Sequence, residues 1–198
     1  YIIGIGDDGP VGLTEEARAR IESADLVIGA TALTATLPEC KAERWDPQGD
    51  FQAVVDKIEG HESDDVVVMA SGDPLFYGVA RFLCHHLGKD RFEVIPHVSS
   101  MQLAFARVKE SWDEAYLTNL ATQDPQRVVE RIRTAEKVGL FTTEEISPAA
   151  LAQLCLDRNI DYFTVYVCEN LGSPDERVTR GELTEVAEQE FAAPNVMV

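Results

Sequence analysis

Short apolar runs alternate with segments of helical period along almost the whole chain. Residues 1–5, Leu26–Ile28, 66–70 and 92–95 are apolar runs of strand length, bounded by polar, Gly or Pro positions. Phe51, Val54, Val55 and Ile58 recur at i, i+3, i+4 and i+7, the spacing of one buried helical face. Residues 14–23 and 75–87 read as further helices. Thr14 is placed to cap the first, with Glu15 and Glu16 in the opening turn, where carboxylates meet the positive end of the helix dipole. The alternation predicts an α/β fold with a mostly parallel sheet.

The pattern restarts past residue 110. Asp124-Pro125 and Ser147-Pro148 each offer an N-cap followed by a proline suited to the first helical position. The first opens a helix with Val128, Val129 and Ile132 inward, and the second a helix to about Asp157. Val138–Phe141 and 162–167 read as strands, and 171–180 carries the Gly and Pro signals of a turn or hairpin. Two α/β domains are therefore expected, 1–110 and 111–198, with the boundary around Val108-Lys109-Glu110-Ser111-Trp112.

Composition narrows the function classes. A chain of 198 residues with 45% hydrophobic content suffices for one large core or two small ones. No apolar run approaches the roughly 20 residues of a membrane span, and no signal-peptide pattern opens the chain. Both ends interrupt apolar runs, so each is expected to be trimmed within a strand. Cys40, Cys84, Cys155 and Cys168 form no C-x-x-C pair, so they read as small buried hydrophobes of a cytoplasmic protein rather than disulfide or zinc ligands. The net charge of −18 disfavours nucleic acid and anionic membranes as partners. Only five of the 17 basic residues are Lys; such a surface suits concentrated salt, and an ordinary acidic cytoplasmic protein is the alternative.

Candidate chemistry lies where strands end. Gly4-Ile5-Gly6-Asp7-Asp8-Gly9 spells G-x-G-x-x-G after the first strand, the pattern of a dinucleotide-binding turn. Asp7 and Asp8 argue against pyrophosphate there, because like charges repel. In Ala70-Ser71-Gly72-Asp73-Pro74-Leu75-Phe76-Tyr77-Gly78, Gly72 permits close approach to the backbone, Asp73 is an N-cap candidate and Pro74 suits the first helical turn. A capped helix without a ligand is the alternative. Ile95-Pro96-His97-Val98-Ser99-Ser100 leaves another strand in the same sense, and its serines can cap a helix or bind a ligand. Ligands of open α/β sheets bind outside the carboxyl ends of strands, which puts these loops at one edge. Thr142-Thr143-Glu144-Glu145 and Glu169-Asn170-Leu171-Gly172-Ser173 are their counterparts in the second half. His85 and His86 are helix neighbours about 100° apart and cannot chelate one metal. No H-E-x-x-H, G-x-S-x-G or Walker pattern is present, so no metal is expected and a serine triad or NTP hydrolysis lacks support.

The strand followed by G-x-G-D-D-G, then A-S-G-D-P-L-F-Y-G, P-H-V-S-S-M-Q-L-A-F-A-R and E-N-L-G-S-P-D-E-R-V-T-R-G, in that order, resembles the tetrapyrrole (corrin/porphyrin) methylase family. Within the family the pattern is similar to the precorrin and cobalt-precorrin C(5)-methyltransferases. The resemblance implies the class III methyltransferase type: two α/β domains, S-adenosylmethionine in a cleft between them, and a homodimer. It places cofactor contacts at Pro10, Ser71, Gly72, Asp73, Phe76, Gly78, Ser99 and Ser100, and in the second domain at Thr142, Asn170, Leu171, Gly172 and the stretch Ala193-Pro194-Asn195. The substrate it implies is a cobalt-precorrin, most specifically cobalt-precorrin-7, lying in a trough bounded by the 6–12 loop and the domain interface. Two positions depart from the family: His97 stands where many relatives have Gly, and Asn119-Leu120-Ala121-Thr122 where this subgroup has a His-Gly pair.

Methyl transfer is an in-line displacement that depends on alignment and exclusion of water, so a site with no triad or metal is compatible with it. Asp73 is expected to position rather than react, since a carboxylate that held the sulfonium too tightly would hinder a charge-neutralising step. Asp7 and Asp8 are the candidate catalytic groups, for proton movement at the macrocycle or orientation of its nitrogens. A substrate with many carboxylates needs local cations in so acidic a chain. Arg81, His97, Arg107, Lys109, Arg177 and Arg180 are the candidate substrate-binding residues, each arginine also readable as a surface ion pair. Two readings stay open: methylation at another precorrin position, and a non-enzymatic regulator that binds NAD at the 4–9 turn.

Overall fold

In the computed structural model, which describes residues 1–37 and 40–198, the four apolar runs of the first half become parallel strands, and a fifth strand without an apolar run joins them at the sheet edge. They are β1 (Ile2–Ile5), β2 (Leu26–Ile28), β3 (Glu43–Trp45), β4 (Val66–Ser71) and β5 (Val94–Ile95), in the order β3-β2-β4-β1-β5. Alternate residues face opposite sides. Ile2, Ile28, Val68 and Ala70 pack with α3 (Phe51–Glu59) and α4 (Val79–Leu87). Ile3, Ile5, Val67 and Met69 pack with α1 (Glu15–Ser23). Both faces are covered, which is why these strands read as continuous apolar runs rather than alternating ones. A short helix, α2 (Thr31–Thr34), follows β2.

Local capping sets the helix starts. Thr14 accepts from the Ala17 amide at 3.1 Å, and Asp50 accepts from Gln52 and Ala53 at 2.9 and 3.0 Å. The helix expected over 75–87 begins only at Val79. Asp73 caps a turn instead: its Oδ1 accepts from Leu75 at 2.9 Å and its carbonyl from Phe76 at 3.0 Å. Tyr77 then adopts a left-handed φ of 56°, which interrupts any helical run.

The chain divides into two compact units, Tyr1–Ser99 and Ser100–Val198, one helix earlier than the expected 110/111 boundary. The reason is α5 (Ser100–Val108), which buries Met101, Ala104 and Phe105. It lies against β7 (Val138–Phe141), where a Cβ on Gly139 would stand 2.6 Å from both Met101 Sδ and Phe105 Cε2. The remaining strands are β6 (Tyr116–Asn119), β8 (Thr164–Glu169), β9 (Arg177–Glu182) and β10 (Asn195–Met197), with sheet order β6-β7-β10-β8-β9.

Only β6 and β7 are parallel in this sheet; β10 runs antiparallel to β7 and β8, and β8 to β9. The mostly parallel sheet expected from the runs of the first half holds in the first unit; in the second, where a turn or hairpin was expected over 171–180, β8 and β9 form an antiparallel pair. The connection between β8 and β9 is too short for a crossover, which forces an antiparallel pair. Helices α6 (Pro125–Ile132), α7 (Pro148–Leu156) and α8 (Leu183–Ala187) close a core around Leu140, Val165, Val167 and Met197. Asp124 and Ser147 cap the first two, accepting from Arg127 and Ala150 at 3.0 and 3.2 Å. No helix among the described residues is long and apolar enough to cross a membrane.

Candidate functional site

In the first unit, β4, β1 and β5 are neighbours, so the loops leaving their carboxyl ends lie side by side. Backbone bonds stitch them together: the Gly72 amide donates to the Ile5 carbonyl at 2.8 Å, and the His97 amide to the Gly72 carbonyl at 3.3 Å. Gly72 has a φ of 62°, and a Cβ there would stand 3.1 Å from Ser99 Cα, so only glycine suits the position. Ser71 is exposed at the end of β4, and Asp73 and Phe76 are half-buried beside it. Pro10 sits in a 3-10 turn, Gly9–Gly12. Val11 is 83% exposed, and Leu75, Tyr77 and Val98 are also open to solvent, so these loops present apolar surface as well as polar groups.

The glycines of the opening turn have a specific neighbour. The His97 ring fills the notch beside them, and a Cβ would stand 2.8 Å from its Cε1 at Gly6 and 2.6 Å from its Nε2 at Gly12. His97 Nε2 lies 3.7 Å from Asp8 Oδ1, and Nδ1 lies 3.3 Å from the Val98 carbonyl oxygen. Asp8 thus faces an imidazole, and both Asp7 and Asp8 are exposed. The G-x-G-x-x-G spelling here seats a side chain of the same unit.

In the second unit, three strand-end loops are wired together. Thr142 Oγ1 donates to Asn195 Oδ1 at 2.6 Å, Asn195 Nδ2 to the Ala192 carbonyl at 3.0 Å, and the Asn170 amide to the Pro194 carbonyl at 3.1 Å. Glu169, at 1% exposure, accepts from the Ala192 amide at 2.7 Å and from the Arg177 fork at 2.6 and 2.7 Å. Burial works against its charge, but the Arg177 hydrogen bonds, the Ala192 amide and the guanidinium charge outweigh burial and hold its carboxyl below the usual range.

Glu176 takes a second fork from Arg107 and the Gly172 amide at 2.9 Å, and these partners lower its pKa against burial. Beneath them, burial pushes the Cys168 thiol up to about 11, with the negative charges of Glu176 and Glu169 adding to the rise and Arg107 opposing it.

Residues 1–187 match the family model described as Tetrapyrrole (Corrin/Porphyrin) Methylases. The chain belongs to this family. Among curated tetrapyrrole methylases it is similar to precorrin-6Y C(5,15)-methyltransferase [decarboxylating] of Mycobacterium tuberculosis, with 32% identity over 89% of this chain and 44% of that protein. The chain thus spans less than half the length of that relative. It is 28% identical to cobalt-precorrin-7 C(5)-methyltransferase of Salmonella typhimurium, over 89% of this chain and 87% of that protein. A solved structure of uroporphyrin-III C-methyl transferase from Thermus thermophilus, complexed with S-adenosylhomocysteine, shares the fold: its TM-score is 0.73 at 17% identity, over 100% of this chain and 95% of that one.

In this member of the family the expected cofactor residues fall at strand ends and the loops that follow them in both units. Pro10, Ser71, Gly72, Asp73, Phe76, Gly78 and Ser99 lie in the first, and Thr142, Asn170, Leu171, Gly172 and Pro194 in the second. Ser100 opens α5. Of the expected substrate cations, Arg107 and Arg177 already direct their forks at carboxylates of their own unit. The Arg180 guanidinium lies 5.9 Å from the centre of the Tyr166 ring, and Arg81 and Lys109 are exposed on or beside helices. Sequence reasoning missed the holding roles of Glu169, Glu176 and Asn195. The available signal was Glu169 itself, a charge closing the apolar run of β8.

Proposed function

We propose that this tetrapyrrole methylase transfers a methyl group from S-adenosylmethionine to C5 of a corrin precursor, cobalt-precorrin-7 in the specific reading. The observation that carries it is the similarity, over 89% of this chain, to a cobalt-precorrin-7 C(5)-methyltransferase, 87% of whose length is matched. The residues fit the cofactor. Ser71, Ser99 and Thr142 offer hydroxyls, Gly72 and Gly172 bring backbone close to a ligand at φ of 62° and 90°, and Asp73 supplies a carboxylate for a cationic group. When bound, S-adenosylmethionine supplies an electrophilic methyl on a sulfonium.

The chain's own residues align and shield that group. Asp73 is fixed by its bond to Leu75, so its charge orients a cation without following it. The exposed apolar side chains of Val11, Leu75 and Tyr77 are suited to cover a planar ring and exclude water. Asp8, facing His97, is the group proposed to take or hold a proton of the macrocycle, with exposed Asp7 beside it. The same reading takes the protein to be a cytoplasmic homodimer that binds neither nucleic acid nor membrane.

Calorimetry with S-adenosylhomocysteine and transfer of a labelled methyl group into cobalt-precorrin-7 test the proposal together. Binding and label in the macrocycle are expected. NAD binding with no response to S-adenosylhomocysteine would overturn the enzyme reading. Cofactor binding without label would move the substrate to another precorrin. The 119–122 turn favours keeping that second reading: Asn119 Oδ1 accepts from the Ala121 amide at 2.8 Å, so the loop closes on itself where the subgroup has His-Gly.

A further inference from the structure

Among the described residues Glu169 is the one charged side chain buried this deeply. Burying a carboxylate is unfavourable unless it is paired and hydrogen-bonded, and a well-packed apolar residue often serves stability as well. What an apolar residue cannot do is hold an amide of one segment and a guanidinium of another with a single group. Glu169 does both. Its Oε1 receives the Ala192 amide at 2.7 Å and an Arg177 Nη at 2.7 Å, and its Oε2 receives Arg177 Nε at 2.6 Å.

Those contacts bracket two loops. Arg177 begins β9, at the far end of the 170–176 loop, and Ala192 lies in the segment entering β10. The second tie is the Asn170 amide, which donates to the Pro194 carbonyl at 3.1 Å. The 170–176 loop is thus tied at both of its ends to the segment entering β10. We propose that Glu169 is a positioning residue: with Arg177 it fixes the 170–176 loop against the 192–195 loop, and so the way Asn170, Leu171, Gly172 and Pro194 are presented to S-adenosylmethionine. This rests on the cofactor reading given above. It also turns Arg177 from a substrate cation into part of the cofactor scaffold.

The test measures the ligand-free chain and its affinity for S-adenosylhomocysteine. Amide exchange at Ala192 is expected to quicken in Glu169→Gln and Arg177→Ala, and calorimetry is expected to show affinity weakened on the order of tenfold. Arg177→Lys restores charge without the fork and should recover part of the loss. Val129→Ala, on the buried face of α6 and outside these loops in the chain, is expected to lower the melting temperature without changing that affinity. If Glu169→Gln fails to fold, Arg177→Ala decides, since that side chain is 60% exposed. A folded Arg177→Ala chain that binds S-adenosylhomocysteine within twofold of the unchanged protein would overturn the proposal, as would an equal loss in Val129→Ala. If the unchanged chain does not bind S-adenosylhomocysteine at all, the cofactor reading falls. Unchanged Ala192 exchange in Arg177→Ala would then overturn the pinning as well.

Discussion

Glu169 and Glu176 each pair with an arginine fork and a backbone amide, and both are held below the ordinary carboxylate range. For Glu169 the hydrogen bonds prevail over burial; for Glu176, whose side chain is 21% exposed, burial is the smaller effect. A depressed folded pKa means that the unfolded chain binds protons first as pH falls. The stability these groups contribute is therefore whole above the unfolded value of about 4.3. It is lost as pH drops through that value and on through the lower folded ones. The urea midpoint should be nearly flat from pH 8 to 6 and fall steeply below pH 5. Glu176→Gln removes one of the groups responsible, so its midpoint should start lower at pH 7 and fall less steeply. Parallel curves for the two proteins would show that Glu176 contributes nothing to acid sensitivity.

At the scale of elements, α5 depends on one missing side chain. Gly139 leaves room on β7 for Met101 and Phe105, and a Cβ there would stand 2.6 Å from each. Gly139→Ala should cost about 1–3 kcal/mol in urea denaturation, the usual size of an overpacking strain. In a Met101→Ala background, itself destabilised by the cavity it leaves, Gly139→Ala should cost less than in the unchanged protein. An unaffected Gly139→Ala protein would mean that α5 does not pack on β7. None of this docking was legible in the sequence, because it joins segments far apart in the chain. What was legible is local: β2 and β7 coincide with their apolar runs, and α1, α6 and α7 start at the caps Thr14, Asp124 and Ser147. β3 escaped notice because Glu43-Arg44-Trp45 is an edge strand without an apolar pattern. The start of α4 was misplaced because Asp73-Pro74 looks the same before a turn as before a helix. The loops of the site could be located from strand ends. The Arg107–Glu176 pair, 69 residues apart in the chain, could not.

For the whole molecule the dominant electrostatic fact is the excess of 35 Asp and Glu over 17 Lys and Arg. Among the described residues the ion pairs to lysine and arginine engage Glu43, Glu62, Glu130, Glu169 and Glu176. These short contacts act locally, whereas repulsion among exposed carboxylates reaches as far as the Debye length. That length falls from about 10 Å at 0.1 M salt to about 3 Å at 1 M. Net self-repulsion weakens the compact state, so KCl should raise the melting temperature between 0.05 and 1 M. A chain of this size gains about 2–4 °C for each kcal/mol of repulsion removed. Screening predicts that the rise levels off once the Debye length is shorter than the spacing of surface charges. Glu22 and Glu59 provide an internal check, since both are exposed in the last turns of helices α1 and α3, where the dipole also disfavours a negative charge. Glu22→Gln with Glu59→Gln should raise the melting temperature at 0.05 M KCl, and the gain should shrink at 1 M. A melting temperature flat in KCl, or a gain from the two substitutions that is equal at both salt concentrations, would show that charge repulsion does not limit the stability of this protein.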